Sequence, residues 1–168
     1  MKTRRPILHA TDFSDASKPA FAVAVERAKR ERASLRLVHV VSPPLIVPGD
    51  AFVPARAYEQ MEAAALRGAT EKLAALVGRA RKAGVHATSV VRIGVPFEEI
   101  VQTARRSRAD LVIVGTHGRT GLSRLMLGSV AGRVIALAPC PVLTVRARPR
   151  TAVRRHTELR PTPITRAS

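Results

Sequence analysis

ADLVIVGTHGRTGLSRLMLGS, residues Ala109 to Ser129, runs from a short apolar segment through a glycine-bearing loop to a helix start. Leu111 to Val114 has the length and composition of a buried strand. Gly115-Thr116-His117-Gly118 breaks it, and Gly128-Ser129 precedes VAGRVIALA, which reads as a helix over 129–138. The free N–H groups and positive dipole end of such a helix start favour an anion. Glycines beside it supply positions without a Cβ, or with unusual φ, where a phosphate approaches the backbone. The Ser129 hydroxyl adds another donor. The stretch has neither the Gly-Lys-Ser/Thr of a Walker loop nor GxGxxG. From spacing alone, a ligand-free glycine turn with Ser129 as N-cap also remains open.

The flanking segments alternate between strand and helix patterns. PILHA (6–10) reads as strand one. Thr11 to Asp15 is a turn, with Ser14 a suitable N-cap for a helix over roughly 15–32 whose inner face is Phe21, Ala24, Val25 and Ala28. Leu35 to Val41 is strand two. Residues 42–54 hold four prolines and one glycine and read as a loop, with apolar residues suited to packing over the domain or forming a lid. A long helix pattern over 56–83 carries Tyr58, Met61, Ala65, Ala69, Leu73, Leu76 and Ala80 at spacings of three and four, and Gly84 stops it. Val85 to Ile93 is strand three. Pro96 opens a helix with Glu98 and Glu99 at its positive end. After the loop and helix four, Val142 to Val145 is strand five.

Five such units predict one α/β domain: a doubly wound, Rossmann-like parallel sheet in the order 3-2-1-4-5, with helices on both faces. Ligands bind such sheets where the strand order reverses, here between strands one and four. Thr11-Asp12 and the Gly115–Ser129 loop therefore converge. The domain is expected to span 1–146. The Arg-, Pro- and Thr-rich segment 147–168 is expected to be a basic, disordered tail.

Composition fits. Hydrophobic residues make up 46% of the 168 but aromatic residues only 3%, so the core must be Val, Ile, Leu and Ala. The same scarcity argues against a single-stranded nucleic-acid platform, which needs stacking rings. The formal net charge of +17 suits a polyanion or a nucleotide, and equally an Arg-rich proteome with a basic tail. A dedicated nucleic-acid role is not the expectation. No apolar run approaches the roughly 20 residues of a membrane span. A single cysteine and no convincing signal peptide lead to a cytoplasmic reading.

Gly115-x2-Gly118-x9-Gly128-Ser129 resembles the ATP-binding motif of the universal stress protein family. ILHATDFSDASKPA resembles that family's opening strand and turn, LVHVV its second strand and PCPVLTVR its ending, so the likeness covers about 5–146. The resemblance implies an ATP-, ADP- or AMP-binding domain, commonly a homodimer. It implies that Asp12, with its neighbours Ala10 and Thr11, lies near the nucleotide. Val40 would line the adenine. Gly115, Gly118, Gly128 and Ser129, with the amides of Val130 and Ala131, would hold ribose and phosphates.

Asp12 could meet the ribose or a Mg²⁺ carried on the phosphates, or simply bond its own turn. Arg119 and Arg124 could screen phosphate charge, and His117 could touch it. His9 and His39 read as core or sheet-end residues, His86 opens strand three, and no zinc spacing is present. Cys140, between two prolines, has no visible His partner for nucleophilic work. Strand 142–145, last in the sheet, is the candidate homodimer contact. The expected function is nucleotide-dependent regulation by binding in a stress response, with no catalytic residue assigned. A slow ATPase and a nucleic-acid-associated protein using its tail are the competing readings.

Overall fold

The computed structural model describes residues 5–43, 54–116 and 128–147. The loop around 44–53, the 117–127 part of the glycine loop and the expected tail from 148 lie outside the described residues. The strands are β1 (Ile7–Ala10), β2 (Leu35–Val41), β3 (Ala87–Ile93), β4 (Leu111–Gly115) and β5 (Val142–Val145). The helices are α1 (Lys18–Glu31), α2 (Ala55–Lys82), α3 (Pro96–Ser107) and α4 (Ser129–Leu137). All strand pairings are parallel and the sheet order is β3-β2-β1-β4-β5, as expected.

Strand alternation divides the core into two layers. Ile7, Leu35, Leu37 and Ile113 face one side, against Phe21 and Ala24 of α1 and Leu73 and Val77 of α2. Leu8, Val38, Val112 and Val114 face the other, against Ile100 and Ala104 of α3 and Val134 of α4. Burial on both faces is why the strands are nearly continuous apolar runs.

Two local expectations change. Ser14 does not cap α1. Its hydroxyl donates to Asp12 instead, and a 3-10 turn over Asp15–Ser17 precedes the helix at Lys18. The apolar spacing of α2 also overstates its core face: Met61 is 60% exposed, and full burial begins only at Ala69. The reason is length. Twenty-eight helical residues extend about 42 Å, whereas the seven-residue strands β2 and β3 extend about 23 Å. The first half of α2 therefore overhangs the carboxyl end of the sheet.

α1, α2 and α3 close in the same way. Ala33 N–H donates to Ala28 O, Val85 N–H to Ala80 O and Ala109 N–H to Ala104 O. Each closure needs a left-handed residue one position earlier. These are Arg32 (φ 52°), Gly84 (φ 85°) and Arg108 (φ 51°).

Leu8 is fully buried and Met61 largely exposed. Leu8→Ala is expected to cost about 3 kcal/mol in urea unfolding, and Met61→Ala less than about 0.5 kcal/mol.

Candidate functional site

β1 pairs with β2 on one side and β4 on the other, so a gap opens over their carboxyl ends. A cleft of about 720 Å³ lies there, within the range of small-molecule sites. It is lined by the turn after β1 (Ala10, Thr11, Asp12), the end of β2 (Val40), the end of β4 (Gly115, Thr116) and the start of α4 (Gly128 to Ala131). Residues about 100 positions apart in the chain thus share one wall. Gly118, Arg119, His117 and Arg124 lie outside the described residues.

Backbone bonds assemble the wall. Thr11 N–H donates to Val38 O (3.0 Å), Thr116 N–H to Val145 O (3.0 Å) and Gly128 N–H to Thr116 O (2.8 Å). The last bond pins the start of α4 to the end of β4. Gly128 is the N-cap and Ser129 the first helical residue, so Ser129 is not the cap that its position suggested. No side chain caps this helix. Among the described residues, the amides of Ser129, Val130 and Ala131 find no acceptor, as expected for an uncapped first turn. Gly128 has φ −57° and ψ 145°, values open to any residue. Backbone conformation therefore does not call for glycine at this position.

The β1 turn is held from within. Asp12 Oδ1 accepts from the Ser14 N–H (3.0 Å) and the Ser14 hydroxyl (2.7 Å). Its Oδ2 is buried and has no partner among the described residues. One oxygen thus serves the turn and the other is left over. The Thr11 hydroxyl accepts from the Phe13 N–H (3.1 Å) and meets Ser17 Oγ at 3.1 Å. No group of His, Cys, Asp or Glu able to hold a metal ion by itself occurs among the described residues. A divalent cation would have to arrive on phosphates, with Asp12 as its nearest carboxylate in the cleft wall.

Three contributors escaped sequence reading. Phe13 sits at φ 63°, its ring 4.3 Å from that of His39. The Lys72 ammonium lies 5.5 Å from the Phe13 ring centroid, and Lys72 also lines the cleft. The His39 Nδ1–H donates to Thr11 O at 2.7 Å, so β2 steadies the turn after β1. No local pattern signals a phenylalanine at positive φ. Lys72 lies just past the point where α2 becomes buried, and which of its turns faces the cleft depends on tertiary packing.

His9 is fully buried, and its Nδ1–H donates to Ile113 O at 3.0 Å. Burial outweighs that bond and the charge of Asp12, lowering its pKa from 6.5 to about 4. His9 is therefore a neutral core group, as expected. Burial, then the charge of Asp110, pushes the Cys140 thiol up, which disfavours the thiolate a nucleophile needs. β5 occupies the sheet edge, with all four residues half-buried. No helix among the described residues is long and apolar enough to cross a membrane.

The model of the universal stress protein family matches residues 3–146. Universal stress protein MJ0531 of Methanocaldococcus jannaschii is 37% identical over 144 residues, covering 84% of this chain and 82% of that protein. The solved universal stress protein UspA of Lactobacillus plantarum superposes with a TM-score of 0.73 at 25% identity, over 84% of this chain and 97% of that one. The universal stress protein of Archaeoglobus fulgidus in complex with dAMP has the same fold, with a TM-score of 0.61 at 24% identity over 86% and 99%.

The low pKa of His9 has a signed consequence. The unfolded chain protonates His9 near pH 6.5 and the folded chain only near pH 4, so stability is full above 6.5 and falls as pH drops through this window. Between pH 7 and pH 5, urea unfolding should lose about 2 kcal/mol in wild type, and His9→Gln should flatten that loss.

Proposed function

The chain belongs to the universal stress protein family, and from this premise we propose that the cleft binds ATP and that occupancy regulates a partner surface. The observation that carries the reading is the start of α4, where the amides of Ser129, Val130 and Ala131, beside Gly115 and Gly128, have neither cap nor acceptor among the described residues. Such a terminus is an anion site. The related fold that holds dAMP supports an adenine nucleotide as the ligand class.

In this reading Val40 flanks the adenine. Asp12 takes the ribose, or a Mg²⁺ brought on the phosphates, through its unpartnered oxygen. The α4 amides and Ser129 hydroxyl take the phosphates. Mg²⁺ would supply charge neutralisation of the phosphates, and among the described residues no cluster of His, Cys, Asp or Glu would hold it without them. Lys72 adds the one lysine or arginine among the described residues lining the cleft. Its ammonium stabilises a charged ligand over an uncharged one. Self-association is assigned to β5, whose outer backbone edge has no partner strand among the described residues.

Calorimetry tests the site. Wild type should show saturable heat with ATP, and Gly128→Val should weaken binding by about 2 kcal/mol, roughly 30-fold. Its melting temperature should hold, since valine can adopt the backbone angles of Gly128. No saturable heat in wild type at millimolar ATP would refute the proposal. Lys72→Ala should weaken ATP several-fold and leave adenosine nearly unchanged.

A further inference from the structure

The end of the sheet opposite the cleft has a chemistry that nucleotide binding does not use. Backbone bonds align the strand entries there: Ile7 N–H to Ser34 O, Leu35 N–H to His86 O and Asp110 N–H to Pro6 O. The turns entering β3, β2, β1 and β4 therefore lie side by side in sheet order. Across four strands at about 4.8 Å each, they span about 15 Å. α1, α2 and α3 all end at this row. The last turn of α1 carries Lys29 and Arg30, that of α3 carries Arg105 and Arg106, and that of α2 carries Lys82, Arg81, whose guanidinium donates to Ala87 O, and Arg79, whose guanidinium lies over the Phe21 ring. Arg5 stands just before β1.

Cations at helix C-termini have an ordinary explanation in the helix dipole. The left-handed caps do not. The three closures are alike, and the α2 closure uses glycine, which takes positive φ without penalty. The other two use Arg32 and Arg108, which do not. Both side chains are exposed. Neither forms an ion pair among the described residues, and the acids at this end, Glu31 and Asp110, are engaged by Arg27 and Arg5. The chain thus accepts backbone strain at two equivalent positions, and each projects from the same end a guanidinium with no carboxylate partner among the described residues.

We infer that this basic end is a docking surface for the phosphate backbone of duplex nucleic acid. The predominance of arginine suits phosphate, which a guanidinium meets with two parallel hydrogen bonds. The row is comparable with the roughly 12 Å width of a major groove, so its cations reach phosphates on both sides. No large exposed hydrophobic residue lies among these turns, which disfavours insertion into a membrane surface. Among the described residues these turns hold no Phe, Tyr or Trp, and the single imidazole of His86 is no platform for successive stacked bases. Recognition is of backbone and shape, without base readout. The surface is distinct from both the cleft and β5.

The test is fluorescence anisotropy of a labelled 24-base-pair duplex with the full-length chain, across salt concentrations. About four phosphate contacts should weaken binding roughly 100-fold between 50 and 200 mM salt. The variant Arg32→Gly/Arg108→Gly places the favoured residue at both caps, so it should melt no lower than wild type. It should bind duplex about 10-fold more weakly, with a shallower salt slope and unchanged ATP binding. Equal duplex affinity of wild type and this variant, which keeps residues 148–168 intact, would overturn the inference. So would absence of duplex binding at 50 mM salt, or tighter binding to phosphatidylserine vesicles or to polyglutamate than to the duplex.

Discussion

The molecule depends on one topological constraint: β1 is shared. It pairs with β2 on one edge and β4 on the other, and the chain leaves these two strands toward opposite faces of the sheet. Parallel strands need crossovers, and right-handed crossovers on opposite faces leave the carboxyl ends of β1 and β4 uncovered. Everything in the candidate site follows from that gap. The β1 turn enters it from one side, and the Thr116–Gly128 bond holds α4 on the other, its free amides at the rim. The middle of α2, from Ala64 to Lys72, supplies a third wall.

The same topology separates two kinds of charge. Helix starts, with their positive dipole ends, gather at the cleft end. Helix finishes gather at the opposite end, where lysines and arginines complement their negative dipole ends. Part of the net charge of +17 thus has a location as well as a total. The cleft end uses backbone amides and few side-chain charges. The far end relies on guanidinium groups, two of them at strained caps.

Much of the fold was legible in the sequence because helix and strand periods differ and the stops are marked. Gly84 and Pro96 stand where their backbone preferences require. The meeting of Thr11-Asp12 with Gly128-Ser129 was also legible, because strand order and handedness follow general rules. What escaped reading depends on three dimensions. Ser14 looked like a cap but bonds Asp12, since a 3-10 turn intervenes. Met61 looked like core because its spacing is right, but the sheet beneath α2 ends too soon. Phe13 and the two arginine caps adopt positive φ at residues whose type does not announce it. At Gly128 the expected unusual φ is absent, since its backbone angles are open to any residue.

The central claim is that the first turn of α4 holds phosphates. The most direct measurement is hydrogen exchange at the amides of Ser129, Val130 and Ala131 with and without ATP. These amides have no acceptor among the described residues, so they should exchange quickly alone and become protected at saturating ATP. Unchanged exchange at all three amides, with ATP bound, would contradict it.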